Sequence, residues 1–203
     1  MHTIKSILPR AALLVCIFTL LCGVMYTAVV TGIAQCIFPR QANGSMLSVE
    51  GKTYGCALLG QPYTDVRHLW GRMTHPDATT FVSRDGKRLL YAWPSNLSPA
   101  SEEYESLVAA RVKMLRAAHP ERGTAPIPVD LVTVSGSGLD PDISVSAALY
   151  QAERIARYNE ISVAKVHTIL AQCTTPRTLG FLGEETVNVL RVNLMLDGVL
   201  AVR

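Results

Sequence analysis

The sequence predicts an α/β (α+β) extracytoplasmic domain behind a single N-terminal transmembrane helix, and three observations carry that prediction. Between Arg10 and Arg40 lie 29 positions without a charged side chain. Beyond them, helix-like runs such as SPASEEYESLVAARVKMLRAAH at 98–119 are interspersed with β-branched runs such as IPVDLVTV at 127–134. After residue 38 the chain keeps 165 residues, enough for one domain that buries about 70% of its unfolded surface. The expected organisation is a cytoplasmic N-terminus at 1–10, a transmembrane helix at 11–38 and one outer domain at 39–203.

A hydrocarbon core of roughly 30 Å takes about 20 apolar residues as a helix, and the uncharged run exceeds that even when tilted. It is also longer than the apolar region of about 7 to 15 residues of a cleaved signal peptide. Leu21 before Cys22 and Gln35 before Cys36 do not fit a lipidated cysteine. Lys5 and Arg10 precede the run, whereas every acidic residue follows it, from Glu50 onward. That bias places residues 1–10 inside and the remainder outside, although Arg40 and Lys52 narrow it. Gly23 and Thr27, and Ala28 and Gly32, stand four apart and offer a face for close helix packing.

Within the outer portion, SMLSV-EG-KTYGC reads as two short strands around a Glu50-Gly51 turn. Residues 62–98 lack periodicity and read as a long, ordered loop. Ser98-Pro99 supplies a cap and a first-turn proline for a helix over 99–118 that Pro120 ends, with Glu102, Glu103 and Glu105 suiting its positive end. Tyr104, Leu107, Val108, Val112 and Leu115 form its inward stripe, and Arg111, Lys113 and Arg116 a solvated face. Residues 127–134 read as a strand, about 145–158 and 162–173 as helices, and the alternation of Leu190, Val192, Leu194 and Leu196 as a last strand.

Composition removes some functions. The outer portion holds 17 Lys and Arg against 16 Asp and Glu, a net charge of +1, which gives no footprint for nucleic acid. Only Cys56 and Cys173 lie outside the membrane run; they could pair, but two cysteines make no disulfide framework. Gly51-Lys52-Thr53 resembles the end of a phosphate-binding loop, yet Met46 stands where the first glycine belongs. In SGSGLDPD, residues 135–142, the glycines directly flank Ser137 and Pro141 replaces the final glycine, so neither a nucleophile elbow nor a dinucleotide loop fits. What survives is a tight strand-to-helix connection rich in backbone donors. Asp140 and Asp142 fall short of a calcium loop, and His68 and His75 with Cys56 or Asp65 match no zinc spacing. No catalytic residue and no metal ligand is assigned.

Taken in order, FPRQANGSML after the apolar span, GCALLGQ at 55–61, Trp70-Gly71-Arg72, VDLVTVSGSGLDPDIS at 129–144 and the ending LGFLGEETVNVLRVNLMLD resemble one family: the C subunit of the Kdp potassium-transporting ATPase. The likeness covers nearly the whole chain. Met73-Thr74 stands where that family commonly has Pro-Ser, Ala152 replaces a frequent proline, and 78–94 is less similar.

The resemblance implies a noncatalytic accessory subunit of a bacterial inner-membrane complex for high-affinity potassium uptake. Its implied partners are a pore-forming potassium-binding subunit and a P-type subunit that hydrolyses ATP. The family is described as a catalytic chaperone that raises the ATP affinity of the hydrolysing subunit. ATP and potassium are then handled by the complex, and no cofactor is expected on this chain. A domain outside the membrane cannot touch cytoplasmic ATP, so any such influence must be a coupling free energy carried through packed partners. The expected partner contacts are Gln41, Asn43, Gly44 and Ser45 as a membrane-proximal strip, then Gly71 and Arg72 with Ser135, Gly136, Ser137, Gly138, Asp140 and Asp142. The alternative for all of them is internal turn structure. A rival reading of the whole chain is a free-standing membrane-anchored outer domain, an enzyme or a solute-binding sensor.

Overall fold

The computed structural model describes residues 2–74, 76–77, 81–83, 85–86 and 91–202. The chain divides into two compact units, one up to Met46 and one from Leu47. The first is a helical rod: α1 (His2–Phe18), a π-helical segment Thr19–Tyr26, α2 (Thr27–Ile37) and a single turn α3 (Pro39–Ala42). Residues 7–37 of this rod are long and apolar enough to cross a membrane, and their large apolar side chains stand exposed. In a π segment hydrogen bonds run i→i+5, and the Thr27 hydroxyl donates to the Cys22 carbonyl at 3.2 Å across such a step. Gly23 lies in the π segment and Thr27 begins α2, whereas Ala28 and Gly32 both lie in α2, one turn apart.

The second unit is an α+β domain. Strands β1 (Met46–Val49) and β2 (Lys52–Cys56) form the expected two-stranded sheet, and Glu50 and Gly51 both take positive φ, as a two-residue hairpin turn of the primed type demands. The long loop contains a minimal ladder, β3 (Pro76–Asp77) against β4 (Tyr91–Ala92). His75, from the zinc reading, lies outside the described residues.

Helix α4 (Glu102–Ala118) starts later than Ser98-Pro99 suggested, because the Ser101 hydroxyl accepts the Tyr104 N–H at 3.2 Å while Ser98 closes the preceding turn. Its apolar stripe points inward as expected, with Leu115 fully buried. Arg111 does not join the solvated face: its guanidinium donates to the Leu131 and Gly71 carbonyls at 2.9 and 3.2 Å.

The run 127–134 is not a strand. Pro128 leads into a 3-10 turn, Val129–Leu131, that buries Asp130 and Leu131, and the Asp130 carboxylate accepts the Ser144 N–H at 2.7 Å. A buried carboxylate needs such a donor, and that need overrides β propensity here. The loop 135–141 consequently links a 3-10 turn to a strand, β5 (Asp142–Ser144), rather than a strand to a helix.

Helix α5 (Val145–Tyr150) is separated at Gln151 from α6 (Ala152–Asn159), and α7 (Val163–Gln172) follows, capped by Ser162. Strands β6 (Thr174–Thr175) and β7 (Thr186–Asn188) complete an antiparallel sheet of order β5-β7-β6. The last apolar run is a helix, α8 (Val189–Leu196), not a strand. Asn188 decides this: its side chain accepts the Arg191 N–H at 3.1 Å, and Val189, Leu190, Val192 and Leu194 are all buried, so period-two alternation was misleading. Helices α5 to α8 cover the sheet around Leu69, Leu131, Ile143, Ile155, Val166 and Val187, each nearly or wholly inaccessible. Each such side chain contributes about 1.5–3 kcal/mol by leaving water. Cys56 and Cys173 are not joined in a disulfide, and burial pushes Cys173 up to about 11.

Candidate functional site

Two arrangements of polar side chains stand out in the second unit: one sealed in its core, the other open on its surface. The sealed one holds the irregular segment 66–72. Gln151 accepts the Trp70 N–H and donates to the Trp70 carbonyl, both at 2.9 Å. Asn193 does the same for Leu69, at 2.7 and 3.0 Å. Two buried amides thus replace the ladder partners that this segment lacks. Between them lies Arg154, fully inaccessible, donating to His119 Nε2 at 2.9 Å, to the His68 carbonyl at 2.9 Å, to Gln151 Oε1 at 2.8 Å and to the Val66 carbonyl. Its guanidinium stacks over the Trp70 ring at 4.2 Å.

No carboxylate touches Arg154 among the described residues, so burial lowers its pKa to about 10. His119 is held neutral. Its Nε2 accepts from Arg154 and its Nδ1–H donates to the Leu115 carbonyl at 2.8 Å, and desolvation brings it down to about 4. This is a positioning scaffold, not chemistry: nothing reactive is exposed. Sequence reasoning passed over Gln151, Arg154, Asn193 and His119. The available signal was polar residues on otherwise apolar helix faces, with Gln151 and Arg154 one turn apart.

The open arrangement is a groove of about 460 Å³ that joins residues distant in sequence, including Arg72, Asp130, Asp140, Asp142, Glu184 and Glu185. Arg72 and Asp140, both singled out from sequence, meet at 3.8 Å. The Arg72 guanidinium also donates to Thr133 Oγ1 at 3.1 Å and to the Val134 carbonyl at 3.3 Å. Asp142 is anchored by Asn188 Nδ2 at 2.7 Å, and the Asp140 carboxylate accepts the Asp142 N–H at 3.2 Å. Five carboxylates against one guanidinium make the groove electronegative. No three His, Cys, Asp or Glu among the described residues converge to hold a metal ion. His68, weighed for zinc, instead bonds Asp197 at 2.8 Å.

Other expected contact residues serve local structure. Gly138 has φ +70°, and a Cβ there would come within 2.5 Å of the Trp93 backbone. Ser135 is buried and its hydroxyl meets that of Ser137 at 3.2 Å; the Ser137 hydroxyl accepts the Leu139 N–H. The Gly71 carbonyl is a hydrogen-bond acceptor for Arg111. A Cβ on Gly136 or on Gly44 would meet nothing within 4 Å. In the first unit, Asn43 folds back to donate to Gln35 at 3.0 Å and to the Pro39 carbonyl at 2.6 Å, while Gly44 and Ser45 take positive φ to close the turn. The Gln41 carbonyl accepts the Gly44 N–H at 3.0 Å. Gly60, missed from sequence, packs so tightly that a Cβ would lie 2.5 Å from the Asp140 carbonyl oxygen.

The model of the family described as "KdpC: K+-transporting ATPase, c chain" matches residues 8–198. The chain belongs to the KdpC family. Its KdpC relatives include the potassium-transporting ATPase KdpC subunit of Clostridium botulinum (strain Eklund 17B / Type B), 54% identical over 200 residues that cover 98% of this chain and 100% of the relative. That of Clostridium perfringens is 53% identical over 96% of this chain and 98% of its own length, and that of Methylococcus capsulatus 46% identical over 92% and 95%. The resemblance carried by FPRQANGSML, GCALLGQ and the 129–144 segment is thereby established, and Arg72, Asp140 and Asp142 of this KdpC-family chain share one groove.

Proposed function

We propose that the chain is the noncatalytic accessory subunit of an ATP-driven potassium uptake complex, supporting its assembly and stability. The observation that carries this reading is the match to K+-transporting ATPase c chains over residues 8–198, joined to one apolar helix at 7–37. The partners are a pore-forming potassium-binding subunit and a P-type subunit that hydrolyses ATP. The helix sits among lipids of the bacterial inner membrane, with residues 1–10 cytoplasmic and the second unit outside. Any rise in the ATP affinity of the hydrolysing subunit is then exerted by coupling through packed protein, since the membrane separates this domain from the nucleotide. No described constellation supports the rival reading of a free-standing enzyme or sensor.

Coexpression with the neighbouring subunits and affinity purification test the proposal. The tagged chain should recover both partners, and omitting it should remove most potassium-dependent ATPase activity. Recovery of the chain alone, with intact activity in its absence, would overturn it. A cysteine introduced at Gly86 should react with a membrane-impermeant maleimide in intact spheroplasts; protection there would reverse the orientation.

A further inference from the structure

The loop between β6 and β7 carries the most exposed large apolar side chain among the described residues of the second unit: Leu179 is 78% exposed, with Phe181 at 69% and Leu182 at 50% beside it. This is no slack segment. Thr178 and Leu182 exchange backbone hydrogen bonds, each at 2.9 Å; Gly180 N–H and Phe181 N–H add bonds to the Arg177 and Thr178 carbonyls; and an Arg177–Glu184 ion pair ties the base. Both ends continue into strands of the core sheet, where Val187 is fully buried.

Leu179 itself sits at φ +55°, a left-handed conformation that costs a residue with a Cβ, while its side chain stays 78% exposed. A strained, preformed loop that holds leucine and phenylalanine in water is built for another surface.

We infer that the Leu179–Leu182 knob is the anchor by which this domain docks into an apolar pocket on another chain of the potassium-transporting ATPase. The inference rests on the assembly reading above. Charge argues against lipid as the occupant: Glu184 and Glu185 adjoin the knob with only Arg177 to balance them, and an anionic bacterial membrane repels that net negative tip. Area argues against a second copy. Three side chains expose at most a few hundred Å², against about 800 Å² per partner for a stable complex between free proteins. A two-fold contact between copies would also set two such negative tips face to face, whereas a different subunit held in the same membrane avoids that repulsion and needs less area, because the helical anchor raises the effective concentration. Glu184 and Glu185 also line the Arg72 groove, so a partner seated on the knob lies against that groove.

Leu179→Gly separates docking from folding, because glycine relieves the φ strain while deleting the anchor. In the full chain coexpressed with the other subunits, Leu179→Gly and Phe181→Ser should each lower recovery of the partners by roughly tenfold, the loss expected of a hot-spot side chain. The melting temperature of the Leu179→Gly chain should stay level or rise. A photoreactive benzoylphenylalanine at position 181 should crosslink to a different subunit. Undiminished recovery of both variants, or crosslinks confined to lipid or to a second copy, would overturn the inference while leaving the assembly reading intact. Failure of the unaltered chain to recover any partner overturns both.

Discussion

Arg154 brings a guanidinium into a core that offers it four acceptors and no contacting carboxylate among the described residues. Arg154→Met therefore strands the Val66 and His68 carbonyls, Gln151 and His119 together, and the loss should reach at least about 3 kcal/mol, read as a lower urea midpoint. His119 gives the core a pH dependence whose sign follows from its tautomer. Both ring nitrogens are already committed, Nδ1 as donor and Nε2 as acceptor, so protonation breaks the Arg154 bond. Burial opposes the charged form most strongly; Arg154 and Arg122 oppose it further, while the Leu115 carbonyl and Glu121 favour it. With the folded pKa at about 4 against 6.5 unfolded, only the unfolded state gains the proton as pH falls through that interval. Stability is then full above pH ~6.5 and lost progressively down to ~4, by on the order of 3 kcal/mol. His119→Gln keeps an acceptor and a donor without titrating; it should flatten the urea midpoint between pH 5 and 6.5, and an unchanged slope would assign the dependence elsewhere.

Among the elements, the loop 135–141 separates conformational need from surface. Gly138→Ala meets both a positive φ and the Trp93 backbone at 2.5 Å, so it should cost roughly 2–4 kcal/mol in thermal unfolding. Gly136→Ala, in open space, should stay within about 0.5 kcal/mol. Sequence patterns read correctly at several elements that a local device sets. The Glu50-Gly51 turn, the stripe of α4 and the start of α7 next to Ser162 are local, and each appears where expected. They failed at 127–134, where the buried Asp130 bonds the distant Ser144 N–H, and at 189–196, where Asn188 caps a helix whose apolar side chains are nearly all buried. Periodicity over eight residues cannot distinguish a buried helix from a strand when nearly every side is apolar.

At the scale of the whole molecule, the groove tests whether Arg72 and Asp140 serve a partner or only each other. Arg72→Ala and Asp140→Ala should lower recovery of the other subunits several-fold with little change in melting temperature, since both side chains are partly exposed and their pair at 3.8 Å contributes under about 1 kcal/mol. Unchanged recovery with a lower melting temperature would make them fold determinants instead. The family and the membrane-spanning apolar length were determined by the sequence alone, because one rests on ordered motifs along the chain and the other on an uninterrupted run of residue types. The groove, the Arg154 core and the strained apolar knob were decided only by tertiary structure. The groove and the core depend on residues brought together from separate segments, Arg72 with Asp140 and Glu184, or Leu69 with Asn193, and the knob on a left-handed Leu179 left exposed by the fold around it. Hydrogen bonding, desolvation and backbone strain act through those spatial neighbours, and linear spacing does not encode them.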